Sequence, residues 1–393
     1  MSEDLLGDKV RAADHALAAL AQQFDFLLAV TPCNQEEAWQ AFCAADRTIT
    51  PRFRYREPSV DIATLRAQLE QLALAGLEDP TLAELLRDKR RELLLQLQLV
   101  ADRDTPAFLQ GSLQLYGPVD DALLAEAHAI LAKLQRVERP VDDVVRSDAS
   151  VVAERARLEL AYYRARLPAF TAGIEVREDI AALTVSHGNL LIPSRLVLAP
   201  NRLDALLQHE VGTHIVTFVN GAQQPLRVLS IGLAGYEALQ EGLAVVAEHV
   251  AGGFDADRMR QIAARVVAVR RVVEGVPFPA MVAELVEQHG FAPKSAFGIV
   301  VRVVRGGGLT KDAIYLRGLL DVLAYLRDDR DMAPLLVGKV AFAHAPLIAT
   351  LIERRVLRAP ALVPRWLEDD VHAARLAHVR TGVHPLDLVE GTA

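Results

Sequence analysis

The chain has 393 residues, enough to bury a substantial core in one large domain or two smaller ones. Its composition of 51% hydrophobic, 24% charged and only 5% aromatic residues is that of a helix-rich globular protein and speaks against extended disorder. A net charge of -8 argues against a nucleic-acid partner, and with Cys33 and Cys43 the only cysteines there is neither a disulfide framework nor a four-cysteine zinc site.

The first stretch, "MSEDLLGDKVRAADHALAAL", lacks the basic start and unbroken apolar run of a signal peptide. No later run reaches the ~18 uncharged apolar residues of a membrane span, so a cytoplasmic location with no membrane partner is expected. Residues 8 to 48 read as helix, interrupted at Pro32, with Asn34 expected to cap the following segment. Further helices are predicted for "SVDIATLRAQLEQLAL", "DPTLAELLRDKRRELLLQLQLVADR" and "VDDALLAEAHAILAKL", each opening on a capping Ser or Asp.

The charge-rich, Pro-containing stretch at 136 to 149 suggests a division into an N-terminal helical region, 1–145, and a second region, 146–393. After one more helix, alternating β-branched and polar residues predict strands over 174–177, 183–186 and 189–192, the last two joined by a turn at "SHGN". A hairpin here either pairs with an extended peptide or only packs on the core. Helices then resume, the tail is expected to be ordered up to Leu367, and order is expected to fade after about His384. The fold class expected is mainly α with a small β-sheet, an α+β protein.

The chemistry concentrates in "LLQHEVGTHIVTF", residues 206 to 218. His209 and His214 are five apart, and at about 100° per residue an ideal helix would turn them about 140° away from each other. One extra residue taken up as a π-bulge realigns them, and Gly212 between them tolerates irregular backbone. Zinc takes neutral His and carboxylate ligands, three from the protein in a catalytic site. The third is expected from "ALQEGLAVVAEH", where Glu241 begins a new helix that crosses back over the first. Two His and one Glu on antiparallel helices is the gluzincin arrangement.

Glu210, next to the first ligand, points toward the open face of such a metal and suits a general base: zinc lowers the pKa of bound water toward about 7, and a neighbouring carboxylate then relays its proton to a leaving amine. Several gluzincins carry an Asp four residues after the ligand Glu to orient the first His, but position 245 is Val. Glu237, Glu248 and Asp312 are the candidates for that role.

These motifs resemble the QEGLA-motif family, similar to the eukaryotic microtubule-associated tyrosine carboxypeptidases. The resemblance rests on "HEVGTH" (209–214), "GYEALQEGLA" (235–244), "RVVRGGGLTKDAIYLRGL" (302–319) and, more weakly, "TPCNQEEAWQAF" and "LVGKVAFAH". It implies a gluzincin-like metallopeptidase domain with Zn2+ on His209, His214 and Glu241, and Glu210 as the catalytic acid. The eukaryotic relatives remove a C-terminal tyrosine from tubulin, a substrate not expected to carry over to this chain.

The block at 302–319 also makes chemical sense for a carboxypeptidase, which must recognise a free carboxylate: Arg302, Arg305 and Lys311 are grouped around a triple glycine expected to be flexible, although a solvated basic face or salt bridges to nearby acids would account for them as well. Tyr315 and Tyr236 compete as donors to a tetrahedral oxyanion. The expected activity is zinc-dependent removal of a residue from a peptide or protein C-terminus. The alternative is a catalytically silent metal-binding regulatory protein on the same scaffold, and iron is a less favoured occupant of the same ligands. Oligomeric state is not legible.

Overall fold

Apolar residues three and four apart fold as helices along most of the described chain, and several of the aspartates that open them act as caps. In the computed structural model, which describes residues 6–58, 60–135, 147–180 and 182–389, Asp61, Asp79, Asp120 and Asp148 each accept a first-turn backbone N–H. The protein is mainly helical, with two small sheets among the described residues. The stretch expected to separate two regions falls mostly outside the described residues. No described helix is long and apolar enough to cross a membrane.

Four local expectations need correction. The first helix ends at Ala21, before Pro32, because Asp25 caps a separate turn, Phe26–Ala29, by accepting the Leu28 N–H. Asn34 stands at the head of the helix Gln35–Ala44 without capping it; its side chain instead clips the neighbouring strand-like segment, bonding Arg52 O and Arg54 N. The triple glycine is an ordered turn: Gly306, Gly307 and Gly308 all have positive φ, Gly306 N–H donates to the Tyr55 hydroxyl, and a Cβ on Gly306 would strike the Phe108 ring. The tail stays packed to Val389, with Leu388 fully buried and its carbonyl accepting from His249 Nδ1 at 2.7 Å.

Strands β1 (Ser147–Asp148) and β5 (Val197–Leu198) form a short antiparallel pair. Strands β2 (Ile174–Arg177), β3 (Thr184–Ser186) and β4 (Asn189–Pro193) form a sheet of order β2-β4-β3. β3 and β4 are the expected hairpin, turning through His187 and Gly188, both with positive φ as a two-residue hairpin loop requires. β2 pairs with β4 in parallel, which alternation alone does not reveal.

Two apolar cores result. The smaller joins the Ala149–Arg166 helix, the sheet and Leu207, Val211, Ile215, Val216 and Val219 from the helix that carries "HEVGTH". The larger runs from the N-terminal helices through residues 226–389 and includes Leu239, Leu243, Val246 and Val250 of the QEGLA helix, Glu237–Val250.

Within the larger core the QEGLA helix lies backbone to backbone on the helix Ile314–Arg327. A Cβ on Gly242 would collide with the Gly318 carbonyl, and one on Gly318 with the Ala238 carbonyl. The glycines therefore set the distance at which residues 311–315 approach Glu241. Gly318→Ala is expected to lower unfolding free energy by roughly 1–3 kcal/mol in urea titrations, as overpacking does. Gly298→Ala, where a Cβ meets nothing within 4 Å, is expected to be neutral or slightly stabilising.

Candidate functional site

The HEVGTH helix runs as α-helix over Pro200–His209, widens into a π-helical turn over Glu210–Ile215, and returns to α-helix over Val216–Ala222. The extra residue is absorbed in that turn, so His209 and His214 face the same side, their rings 5.0 Å apart and nearly perpendicular. Gly212 is not used for unusual backbone, since it is absent from the positive-φ glycines; the space where its Cβ would stand is filled by the amide end of Gln208, which a larger residue would displace.

Across from them the QEGLA helix presents Glu241. Its Oε2 stands 3.7 Å from His209 Nε2 and 3.9 Å from His214 Nε2, and ligand atoms of the three residues all lie within 4.8 Å of one another. That Oε2 is buried and has no hydrogen-bond partner. A buried anionic oxygen without a donor is costly, and a cation among the three side chains would satisfy it. The donor set, two imidazoles and one carboxylate, suits such an ion.

Both imidazoles are fixed by their other nitrogen. His209 Nδ1–H donates to Glu248 Oε1 at 2.9 Å, and His214 Nδ1–H to Gln240 Oε1 at 3.3 Å, an oxygen that also accepts from Thr217 Oγ1. Each bond leaves Nε2 turned toward Glu241. Of the three acids considered for orienting His209, Glu248 makes the contact. It lies two helical turns beyond Glu241, while Val245 is fully buried in the core. Glu237 faces Lys311 and Asp312 faces arginines.

Glu248 is held in turn by Arg202 at 2.6 Å and Arg258 at 2.8 Å. Burial opposes its ionisation, yet Arg258, His209 and Arg202 keep its carboxyl well below the usual range. Burial likewise opposes charge on Glu241, but Lys311 and the two histidines hold it down at about 2; Tyr315 adds a hydrogen bond. For Glu210, 4.0 Å from His209 Nε2, burial prevails and lifts the carboxyl to about 7, the Glu241 and Glu248 charges adding to the rise. Burial pushes His214 down to about 3, so its ring is neutral as a ligand must be.

The cations expected near a substrate carboxylate already have partners. Lys311 is buried, 3.3 Å from Glu241 Oε1 and 3.6 Å from Glu237. Arg302 grips Asp312 with two hydrogen bonds, Nη2 to Oδ1 at 2.9 Å and Nε to Oδ2, while Arg305 at 3.9 Å and Arg265 at 3.6 Å share the same carboxylate. Three guanidiniums around one carboxylate leave excess positive charge beside Tyr315, over whose ring Arg265 sits at 5.0 Å. Tyr236, at the head of the QEGLA helix, lies between Lys89 and Lys339, each about 5.5 Å from its ring.

Reasoning from the sequence missed Gln240, Arg202, Arg258, Arg265 and Lys339. Gln240 had a signal, as the first letter of the QEGLA motif; the arginines had none, because they reach Glu248 and Asp312 only through tertiary packing. Glu248→Ala would leave Arg202 and Arg258 facing an empty buried position. The variant is expected to lose about 3–5 kcal/mol of stability, read as a lower urea midpoint.

Residues 40–383 match the family model described as microtubule-associated tyrosine carboxypeptidase. No curated protein matches the chain at a significant level.

Proposed function

Because the chain belongs to the microtubule-associated tyrosine carboxypeptidase family, we propose that it is a zinc-dependent carboxypeptidase that removes a residue from the C-terminus of a peptide or protein. The observation that carries this reading is the convergence of His209, His214 and Glu241, with a buried, partnerless Glu241 oxygen at the centre and Glu210 beside it. His209 and His214 would hold the ion through Nε2 and Glu241 through Oε2, a set of three protein ligands that leaves one position free. Zinc supplies Lewis acidity and an acidified water in such a site.

The remaining chemistry falls to the chain's own groups. Glu210 takes a proton from the attacking water and delivers it to the departing amine, a role that suits a carboxyl whose burial raises its proton affinity toward neutrality. Glu248 and Gln240 keep the two imidazoles in one tautomer and orientation. Lys311 holds Glu241 ionised. Tyr315 stands beside Glu241 and is the better placed of the two tyrosines to donate to a developing oxyanion. The net positive cluster of Arg265, Arg302 and Arg305 favours an anionic chain end near the site.

Glu210→Gln is expected to retain one zinc per chain by elemental analysis while turnover of a C-terminal peptide library falls about 10²–10⁴-fold. A variant that binds zinc and cleaves at the parental rate would remove Glu210 from the reaction. His214→Ala is expected to lose the metal itself, read as sub-stoichiometric zinc after dialysis.

A further inference from the structure

We infer that the ammonium of Lys339 is the direct receptor for the free carboxylate at the substrate's C-terminus. The inference rests on the carboxypeptidase reading above and adds to it the residue that tells a chain end from an internal peptide bond.

Lys339 is held by its own backbone, which donates to Leu229 O at 2.8 Å and accepts from Leu233 N at 2.9 Å. Its side chain reaches between the two helices that carry the candidate ligands. Nζ lies 5.6 Å from the ring centre of Phe218, one turn beyond His214 on the HEVGTH helix, and 5.6 Å from that of Tyr236, at the head of the QEGLA helix. It is near enough for its charge to bear on His214 and for the charges of Glu241 and Glu210 to bear on it.

Among the described residues no acid in that neighbourhood forms an ion pair with it. Glu92 pairs with Lys89 at 2.5 Å and accepts from Gly235 N–H. Glu237 and Glu241 face Lys311. Glu210 lies toward His209. Lys339 thus has aromatic faces on two sides and, among the described residues, neither an ion pair nor a hydrogen bond on its ammonium. Burial and the like charge of Lys89 push it down to about 8, yet it stays protonated at neutral pH. Lys339 is partly exposed, so its ammonium is accessible, and with no acid of the chain paired to it a bound carboxylate can occupy that place.

The other cations of the site are committed to partners. The terminal carboxylate follows the scissile carbonyl by one residue, ~3.8 Å along the chain, so its receptor must stand within about a residue and a hydrogen bond of the reacting centre. Arg302, Arg305 and Arg265 already share Asp312, and Lys311 is bound to a candidate ligand.

The test uses zinc-loaded protein carrying Glu210→Gln, titrated calorimetrically with a short peptide ending in tyrosine, as free acid and as C-terminal amide. The free acid is expected to bind about 10- to 100-fold tighter than the amide. Adding Lys339→Met is expected to lower free-acid affinity to that of the amide, leaving amide affinity and zinc content unchanged; Lys339→Arg is expected to retain most of the preference.

Lys339→Gln replaces the methionine variant if the latter unfolds. A neutral variant that still prefers the acid overturns the assignment. So does equal weakening of both peptides, which would mark Lys339 as packing or as serving the reacting carbonyl, and so does a parent without preference. If a preference dependent on Lys339 appears in a protein that cleaves no peptide, the hydrolytic reading falls and the receptor stands.

Discussion

One widened helical turn governs the site. Between His209 and His214 the chain has one residue too many for an α-helix to put both imidazoles on one side, and the π turn over Glu210–Ile215 absorbs it. The same turn leaves Glu210 facing the space between the histidines and Glu241. Tertiary packing and local bonds both support it: Val211 and Ile215 are fully buried in the smaller core, Thr213 Oγ1 donates to Gln208 O just before the turn, Thr217 Oγ1 donates to Thr213 O within it, and Gly212 yields its side-chain volume to Gln208.

Around that turn, burial and charge work against each other in a graded way. Glu248 is kept ionised by two arginines, and Glu241 by Lys311, so the helix bearing both acids carries its negative charge toward the histidines despite being inside the protein. Glu210 has no cation at comparable range and retains its proton more readily. Two carboxyls that both approach His209 Nε2 thus acquire opposite tendencies, one to stay charged and one to exchange a proton, because only one is given a fixed counter-ion.

Much of this was legible locally. The HEVGTH and QEGLA segments, the hairpin over 184–193 and the aspartate caps are patterns over a few residues, and the structure brings the two motifs together as their spacing suggested. Glu248 could be shortlisted because seven residues from Glu241 is the same face of a helix. Choosing it over Glu237 and Asp312 required the tertiary position of His209. The arginines on Asp312, the Gln240 bond to His214 and the bare ammonium of Lys339 depend on where separate helices cross, which periodicity does not encode. The triple glycine suggested flexibility by composition, yet Phe108 and Tyr55 occupy the space that makes it a rigid turn. Within "QEGL" every residue acts differently, since Gln240 orients an imidazole, Glu241 faces both histidines, Gly242 admits the neighbouring backbone, and Leu243 fills the larger core.

The histidines and the glutamate also belong to different cores. His209 and His214 ride on a helix whose apolar face is sealed by the Ala149–Arg166 helix and the sheet, whereas Glu241 belongs to the assembly built on the N-terminal helices and the Ile314–Arg327 helix. Loosening of the smaller core alone would displace the two histidines and leave Glu241 in place, so the three-residue cluster would be lost before most of the helical signal. A cation held by the three side chains would add a polar tie between two helices that already pack against each other, and its binding would raise the stability of the smaller core above what its own apolar contacts supply.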